Sequence, residues 1–281
     1  MGTDGLKATW ERGGTALGAW ITLREPLAVQ MACGAGYDYV CIDMQHGLAD
    51  YRDVLPLLQA AARSASTPLV RVPWNEPGII GRVLDAGAMG VIIPMVNSPE
   101  EARQAVAACR YPPDGTRSFG PVGAATTYGG AYVGRANRDI ACIPMIETRE
   151  AVDRIDEILA VPGIDAVYVG PADLSFSLGM APALDTSGEP FDGAIQRIIE
   201  ACEAAGVVPG VHANAALAER RRTDGFRMMT VSGDLGGLAA GLRQDLSVAS
   251  ASVASFHAAG GAGSSGTPSS GDGAPATPYG A

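Results

Sequence analysis

The chain has 281 residues, 47% of them hydrophobic, and 20 basic against 30 acidic side chains give a formal net charge of −10. That length and apolar content can bury the core of one large α/β domain, and the acidic balance argues against nucleic acid and anionic membranes as partners. No apolar run approaches the roughly 18 to 20 residues needed to span a bilayer, and the first ten residues lack a basic stretch followed by an apolar one, so a cytoplasmic protein is expected.

From residue 16 onward, short apolar runs alternate with amphipathic stretches. Strands are expected at 16–21, 37–42, 69–72, 90–94, 140–146, 166–170, 207–210 and 228–231. Their interiors are nearly uncharged, which suits parallel strands buried on both faces. Helical patterns follow at 51–65, 78–86, 99–109, 149–159 and 191–205. Ser98-Pro99-Glu100-Glu101 supplies an N-cap, a proline at the first helical position and early acids, and Thr148-Arg149-Glu150 opens another helix in a similar way. Gly87 and Gly206 stand where the chain leaves a helix. Eight βα units in this length predict an α/β fold of the (β/α)8 TIM-barrel type; an open doubly wound sheet is disfavoured because no G-x-G-x-x-G follows the first strand.

Two segments break the rhythm. Residues 111–139, rich in Gly, Pro and Tyr, read as a long connector, and connectors of that length are often functional loops. Residues 258–281 are almost uncharged Gly, Ser, Pro, Thr and Ala, and are expected to remain disordered after a barrel domain spanning 1–257.

In such a barrel the chemistry gathers where strands run out. The fifth strand ends on Glu147 and the sixth on Asp173, and two neighbouring carboxylates with water and substrate oxygens form a Mg²⁺- or Mn²⁺-type site. Each could instead cap the helix that follows it. His46 follows the second strand and is a candidate general base, flanked by Asp43. Arg71 needs an anionic partner: either a core acid such as Asp43, or a substrate carboxylate or developing enolate oxygen. Asp85 sits at a helix end where the dipole disfavours an anion, which hints at a partner such as a histidine, although a surface acid fits equally well. Lys7 is the sole lysine and precedes the first strand, so a Schiff-base mechanism is not expected. The five cysteines, none in a C-x-x-C arrangement, read as buried reduced thiols. The run Arg220-Arg221-Arg222 reads as a solvated helix face.

Ile42-Asp-Met-Gln-His-Gly47, Leu69-Val-Arg71, Pro94-Met-Val, Arg110-Tyr-Pro-Pro-Asp-Gly115, Ile146-Glu-Thr148 and Val169-Gly-Pro-Ala-Asp-Leu-Ser175, in this order and spacing, resemble the HpcH/HpaI aldolase family of metal-dependent pyruvate aldolases. The resemblance runs from about residue 13 to 250. It implies a barrel whose eighth helix is swapped with a neighbour, a homohexamer, and Glu147 and Asp173 as ligands of Mg²⁺, Mn²⁺ or Co²⁺. It further implies His46 as base, assisted by Asp85 and supported by Asp43, with Arg71 stabilising the enolate and the amides of Ala172 and Asp173 receiving the substrate carboxylate. Met145 stands where the family often carries a substrate-contacting Gln; a thioether cannot donate a hydrogen bond. The implied substrates are 4-hydroxy-2-oxo acids, cleaved to a 2-oxo acid such as pyruvate and an aldehyde. A CoA-thioester lyase or an oxaloacetate decarboxylase using the same metal and enolate is the alternative.

Overall fold

The computed structural model describes residues 5–260. Helix α1 (Leu6–Glu11) precedes strand β1 (Ala16–Ile21), and the chain then alternates α2 (Pro26–Gly34), β2 (Tyr39–Asp43), α3 (Tyr51–Ala61), β3 (Thr67–Arg71), α4 (Pro77–Ala86), β4 (Gly90–Ile93) and α5 (Pro99–Cys109). Two further helices, α6 (Val122–Tyr128) and α7 (Tyr132–Asp139), lead to β5 (Ala141–Pro144), α8 (Arg149–Asp153), α9 (Ile155–Leu159), β6 (Ala166–Val169) and α10 (Pro171–Ser177). The chain ends with α11 (Phe191–Ala205), β7 (Val208–His212), α12 (Ala218–Asp224), β8 (Met228–Gly233) and α13 (Asp234–Gly260).

The eight strands are parallel in the order β5-β4-β3-β2-β1-β8-β7-β6. A parallel bridge between Met145 and Tyr168 joins the two ends, aided by Asp165 N–H to Cys142 O at 3.1 Å and Ile146 N–H to Tyr168 O at 3.0 Å. This is the expected (β/α)8 barrel. Several expected strand limits shift by one to three residues, most usefully at β2, which extends to Asp43, and β7, which extends to His212. Both extensions bring polar side chains into regular register.

Helix starts follow local chemistry. Pro26, Pro77, Pro99 and Pro171 occupy the first turn of their helices, where a missing N–H costs nothing. Ser98 accepts from Glu101 N–H at 3.2 Å and Thr148 from Ala151 N–H at 3.1 Å, while Asp50 and Asp53 form a reciprocal capping box at α3. The helix expected at 149–159 is split at Arg154, whose backbone (φ −107°, ψ 15°) leaves helical values. The expected connector at 111–139 contains α6 and α7; Tyr132 and Ala136 are buried there, anchoring α7 to the core.

Two apolar clusters follow the strand period of two. One lies between strands and helices; the other fills the lumen with Trp20, Tyr39, Cys41, Leu69, Ile92, Met145, Tyr168 and Met228, and Leu6 and Trp10 of α1 belong to it. Gly18 makes room for this packing, since a Cβ there would stand 2.1 Å from Tyr39 Cζ. Cys41, Cys109, Cys142 and Cys202 are buried, Cys33 is half-buried, and all five are free. Lys7 Nζ pairs with Asp165 Oδ1 at 2.6 Å and donates to Arg138 O. Asp165 precedes β6, so the lysine is held at the end of the barrel opposite the strand C-termini.

By contact density the chain divides into one unit through Gly237 and a second from Leu238. The second unit is the larger part of α13, on which Leu238, Leu242 and Leu246 recur at helical spacing and are all more than half exposed. In the first unit Leu17 of β1 and Leu27 and Met31 of α2 are exposed. The segment expected to be disordered is helical as far as Gly260; the remainder lies outside the described residues. Among the described residues no helix is long and apolar enough to cross a membrane.

Candidate active site

Asp43, the last residue of β2, is buried and saturated with donors. Its Oδ1 accepts from Arg71 Nε at 2.8 Å, Gln45 N–H at 3.0 Å and His46 N–H at 3.3 Å. Its Oδ2 accepts from Arg71 Nη2 at 2.6 Å and Trp20 Nε1 at 3.1 Å. Burial alone would raise the Asp43 pKa, but the bonds and charge of Arg71, with Trp20 and the Gln45 amide, hold it below the usual carboxylate range. Arg71, at the end of β3, lies with its guanidinium 4.9 Å from the centre of the Trp20 ring. The arginine thus has its core acid, as one sequence reading required, and sits 8% exposed beside the strand ends.

Glu147 is 2% exposed. It does not cap α8, a role taken by Thr148; its Oε1 accepts from Met95 N–H at 2.9 Å. Met95 is the one non-glycine residue with positive φ (56°) among the described residues, a conformation that costs energy and turns its N–H toward the carboxylate. Asn97 holds that turn by donating to Met95 O and accepting from Thr148 Oγ1. Burial pushes Glu147 up; the Met95 N–H opposes this, the Asp173 carboxylate adds to it and Arg71 opposes it, leaving a pKa of about 7. Asp173 lies in the first turn of α10, exposed, with Gly170 rather than itself as N-cap.

The two acids converge over Gly170. A Cβ at that position would stand 2.6 Å from Glu147 Oε2 and 3.6 Å from Asp173 Oδ2, in the space both carboxylates face. Two like charges, one of them desolvated, facing a gap that a side chain would fill, form a donor set suited to a hard divalent cation, with water or substrate oxygens completing it. Two carboxylates alone are fewer ligands than a self-sufficient cage, and no group of three or more His, Cys, Asp or Glu suited to a metal occurs among the described residues.

The other expected residues divide. His46 is exposed on the loop after β2, its amide tied to Asp43. Ala172 is exposed at the start of α10, where first-turn amides have no intrahelical acceptor. Met145 is 2% exposed in the lumen, and its Cε is 3.2 Å from the position of a Gly170 Cβ, so it forms floor beneath the carboxylates.

Asp85 is placed differently from expectation. It ends α4, next to the turn in which Met89 N–H bonds Pro68 O at the start of β3, the opposite end of the barrel from His46. Its partner is an arginine: Arg117 Nη2 donates to Asp85 Oδ1 at 2.6 Å. A dyad between Asp85 and His46 of one chain is therefore ruled out by topology.

In the arginine run Arg220 and Arg222 are exposed, as on a solvated face, and Arg221 departs from that reading. Arg221 is 1% exposed and donates to Asp224 Oδ2 at 3.2 Å, while Arg220 pairs with Asp185 and Asp192. These arginines are engaged with acids of the chain, so they form no open basic groove for a CoA pyrophosphate.

Sequence reasoning missed Trp20, which props Arg71 and Asp43, and Met95, whose positive φ has no signature in a methionine. A large aromatic at the end of β1 was a visible signal for the first. His212 ends β7 and is half-buried.

A (β/α)8 barrel whose strand ends gather two convergent carboxylates, a buried arginine and an exposed histidine has the make-up of an enzyme, and the comparisons give its class. The model of the HpcH/HpaI aldolase/citrate lyase family matches residues 16–240. A hydroxypyruvate/pyruvate aldolase of Rhizorhabdus wittichii is 40% identical over 240 residues, covering 85% of this chain and 96% of the relative. A 4-hydroxy-2-oxo-heptane-1,7-dioate aldolase of Salmonella arizonae is 40% identical over 246 residues, covering 85% and 90%. The crystal structure of an HpcH/HpaI aldolase/citrate lyase family protein from Burkholderia cenocepacia superposes with a TM-score of 0.81 at 37% identity, covering 87% of this chain and 98% of that one. The protein is thus a carbon–carbon lyase of the aldolase type. It belongs to the HpcH/HpaI aldolase/citrate lyase family.

Proposed function

We propose that the protein is a divalent-cation-dependent aldolase that reversibly cleaves a 4-hydroxy-2-oxo acid to pyruvate, or a related 2-oxo acid, and an aldehyde. The observation that carries this reading is the convergence of Glu147 and Asp173 over Gly170 with Arg71 close by. Glu147 and Asp173 would hold Mg²⁺, Mn²⁺ or Co²⁺, and such an ion supplies Lewis-acid polarisation of the 2-oxo group. His46 takes the proton of the C4 hydroxyl as the C3–C4 bond breaks and the aldehyde leaves. The bond electrons move onto the 2-oxo oxygen, where Arg71 stabilises the developing negative charge. Return of the proton to C3 of the enolate then gives the 2-oxo acid and resets the base. The amides of Ala172 and Asp173 receive the substrate carboxylate, and Asp43 keeps Arg71 and the His46 loop in place.

The reading is tested by pyruvate release from a 4-hydroxy-2-oxo acid, with and without exhaustive chelation and borohydride. Release that stops on chelation and ignores borohydride is the expected result; release that survives chelation contradicts it. Gly170→Ala, which sets a methyl against Glu147 Oε2, is expected to weaken cation binding by about tenfold or more, measured by calorimetric titration.

A homo-oligomer is part of this proposal. The exposed leucines of α13 form an apolar row that water does not favour, and a second copy is the proposed cover. Leu242→Asp with Leu246→Asp is expected to lower the mass measured by light scattering during size exclusion; an unchanged mass would count against the proposal.

A further inference from the structure

We propose that His212 makes this enzyme selective for hydroxyl-bearing substrates, its Nε2 accepting a hydrogen bond from a hydroxyl on the substrate's carbon chain. This deepens the aldol reading and rests on it.

His212 is the last residue of β7. Alternation along the strand sends Val208 into the lumen cluster and Val211 into the outer one, so His212 falls on the lumen side at the level where the lumen opens onto the site. Its ring stands edge-on to Trp20, with centroids 4.8 Å apart and planes at 88°. Trp20 is the residue that bonds Asp43 and underlies Arg71, so the imidazole shares its support with the catalytic pair.

A hydroxyl chain sets which ring nitrogen carries the proton. Tyr168 donates its single hydroxyl hydrogen to Thr230 Oγ1 at 2.6 Å. The Tyr168 oxygen can then only accept, and the group facing it at 3.4 Å is His212 Nδ1. The proton therefore resides on Nδ1, and Nε2 is left with its lone pair. Burial, with the positive charge of Arg71, pushes the His212 pKa down to about 4 against a smaller opposing effect of Asp43, so the ring is neutral near pH 7. No donor to Nε2 occurs among the hydrogen bonds of the described residues, and the ring is only partly buried.

A neutral acceptor at this place discriminates by chemistry. A substrate hydroxyl satisfies it, whereas an alkyl chain leaves it unpaired and a carboxylate offers only further lone pairs. The hydroxyl could belong to the 2-oxo acid or to the aldehyde, and the test separates them.

The cation-loaded protein and its His212→Leu variant are assayed in the addition direction with three pairs: pyruvate with acetaldehyde, pyruvate with glycolaldehyde, and hydroxypyruvate with acetaldehyde. The substitution is expected to lower kcat/KM for one hydroxyl-bearing pair about tenfold relative to the pyruvate–acetaldehyde pair, and the affected pair identifies the component that carries the hydroxyl. His212→Gln, which keeps an acceptor oxygen, is expected to recover part of that ratio. A uniform change across all three pairs overturns the assignment and leaves the aldol reading standing. No addition with any pair by the unsubstituted protein overturns the aldol reading and the assignment together.

Discussion

Replacing Glu147 with glutamine is expected to reduce pyruvate release by about a thousandfold, corresponding to roughly 4 kcal/mol of lost transition-state stabilisation. The substitution is close to isosteric, and its amide oxygen can still accept from Met95 N–H. What disappears is the charge that faces Asp173 across the Gly170 gap. Activity and stability should therefore move in opposite directions. In metal-free protein, Glu147 has a folded-state pKa of about 7, against an ordinary value of about 4.3 in the unfolded chain. Its contribution is favourable at low pH and is lost as the pH rises from about 4.3 through 7. Urea denaturation of chelated protein at pH 4.5 and pH 8 should show that loss in the parent chain and little of it in Glu147→Gln. A variant that keeps most of its activity would show that this carboxylate is not needed for the reaction.

Arg71→Ala is the second large effect, and it acts on fold and chemistry together. The arginine supplies two of the five hydrogen bonds to the buried Asp43 carboxylate and the only full positive charge among those donors. Its removal leaves a buried anion without its counter-charge, a change that costs about 3–5 kcal/mol. Loss of the charge proposed to stabilise the enolate oxygen should lower kcat/KM by about a hundredfold or more in whatever protein remains folded. Arg71→Lys keeps a charge but not the planar fork that meets both Asp43 oxygens or the stacking on Trp20, so it should recover stability better than activity. Asp43→Asn combined with Arg71→Met should unfold at higher urea than Arg71→Ala, because the unpaired charge is then gone.

How much of this could be read from the chain follows from the range of the interactions. The βα alternation, the caps at Ser98 and Thr148, and the strand-end positions of Asp43 and Arg71 depend on residues within a turn or two, and they match the fold, whereas Glu147 lies three residues beyond the end of β5 at Pro144. The lumen role of α1 depends on Leu6 and Trp10 meeting strands from across the whole sequence, which no local period encodes. The helices in 111–139 are short, and their burial decides them more than propensity does. The family resemblance implies Asp85 as an assistant to His46, and its place at a helix end only hints at some partner. Helix direction settles the matter, since α4 returns the chain to the start of β4, away from the strand ends. Arg221 read as a surface residue because its neighbours are charged, yet it packs inward with its guanidinium 5.8 Å from the Phe191 ring, a contact made by a different helix.

The most direct test of the account is a Mn²⁺ titration followed by electron paramagnetic resonance, on the parent chain and on Glu147→Gln and Asp173→Asn. One bound ion per chain in the parent, with affinity lowered at least about tenfold in each variant, is the predicted result. Binding of equal stoichiometry and affinity in all three proteins would contradict the central claim that these two carboxylates hold the ion.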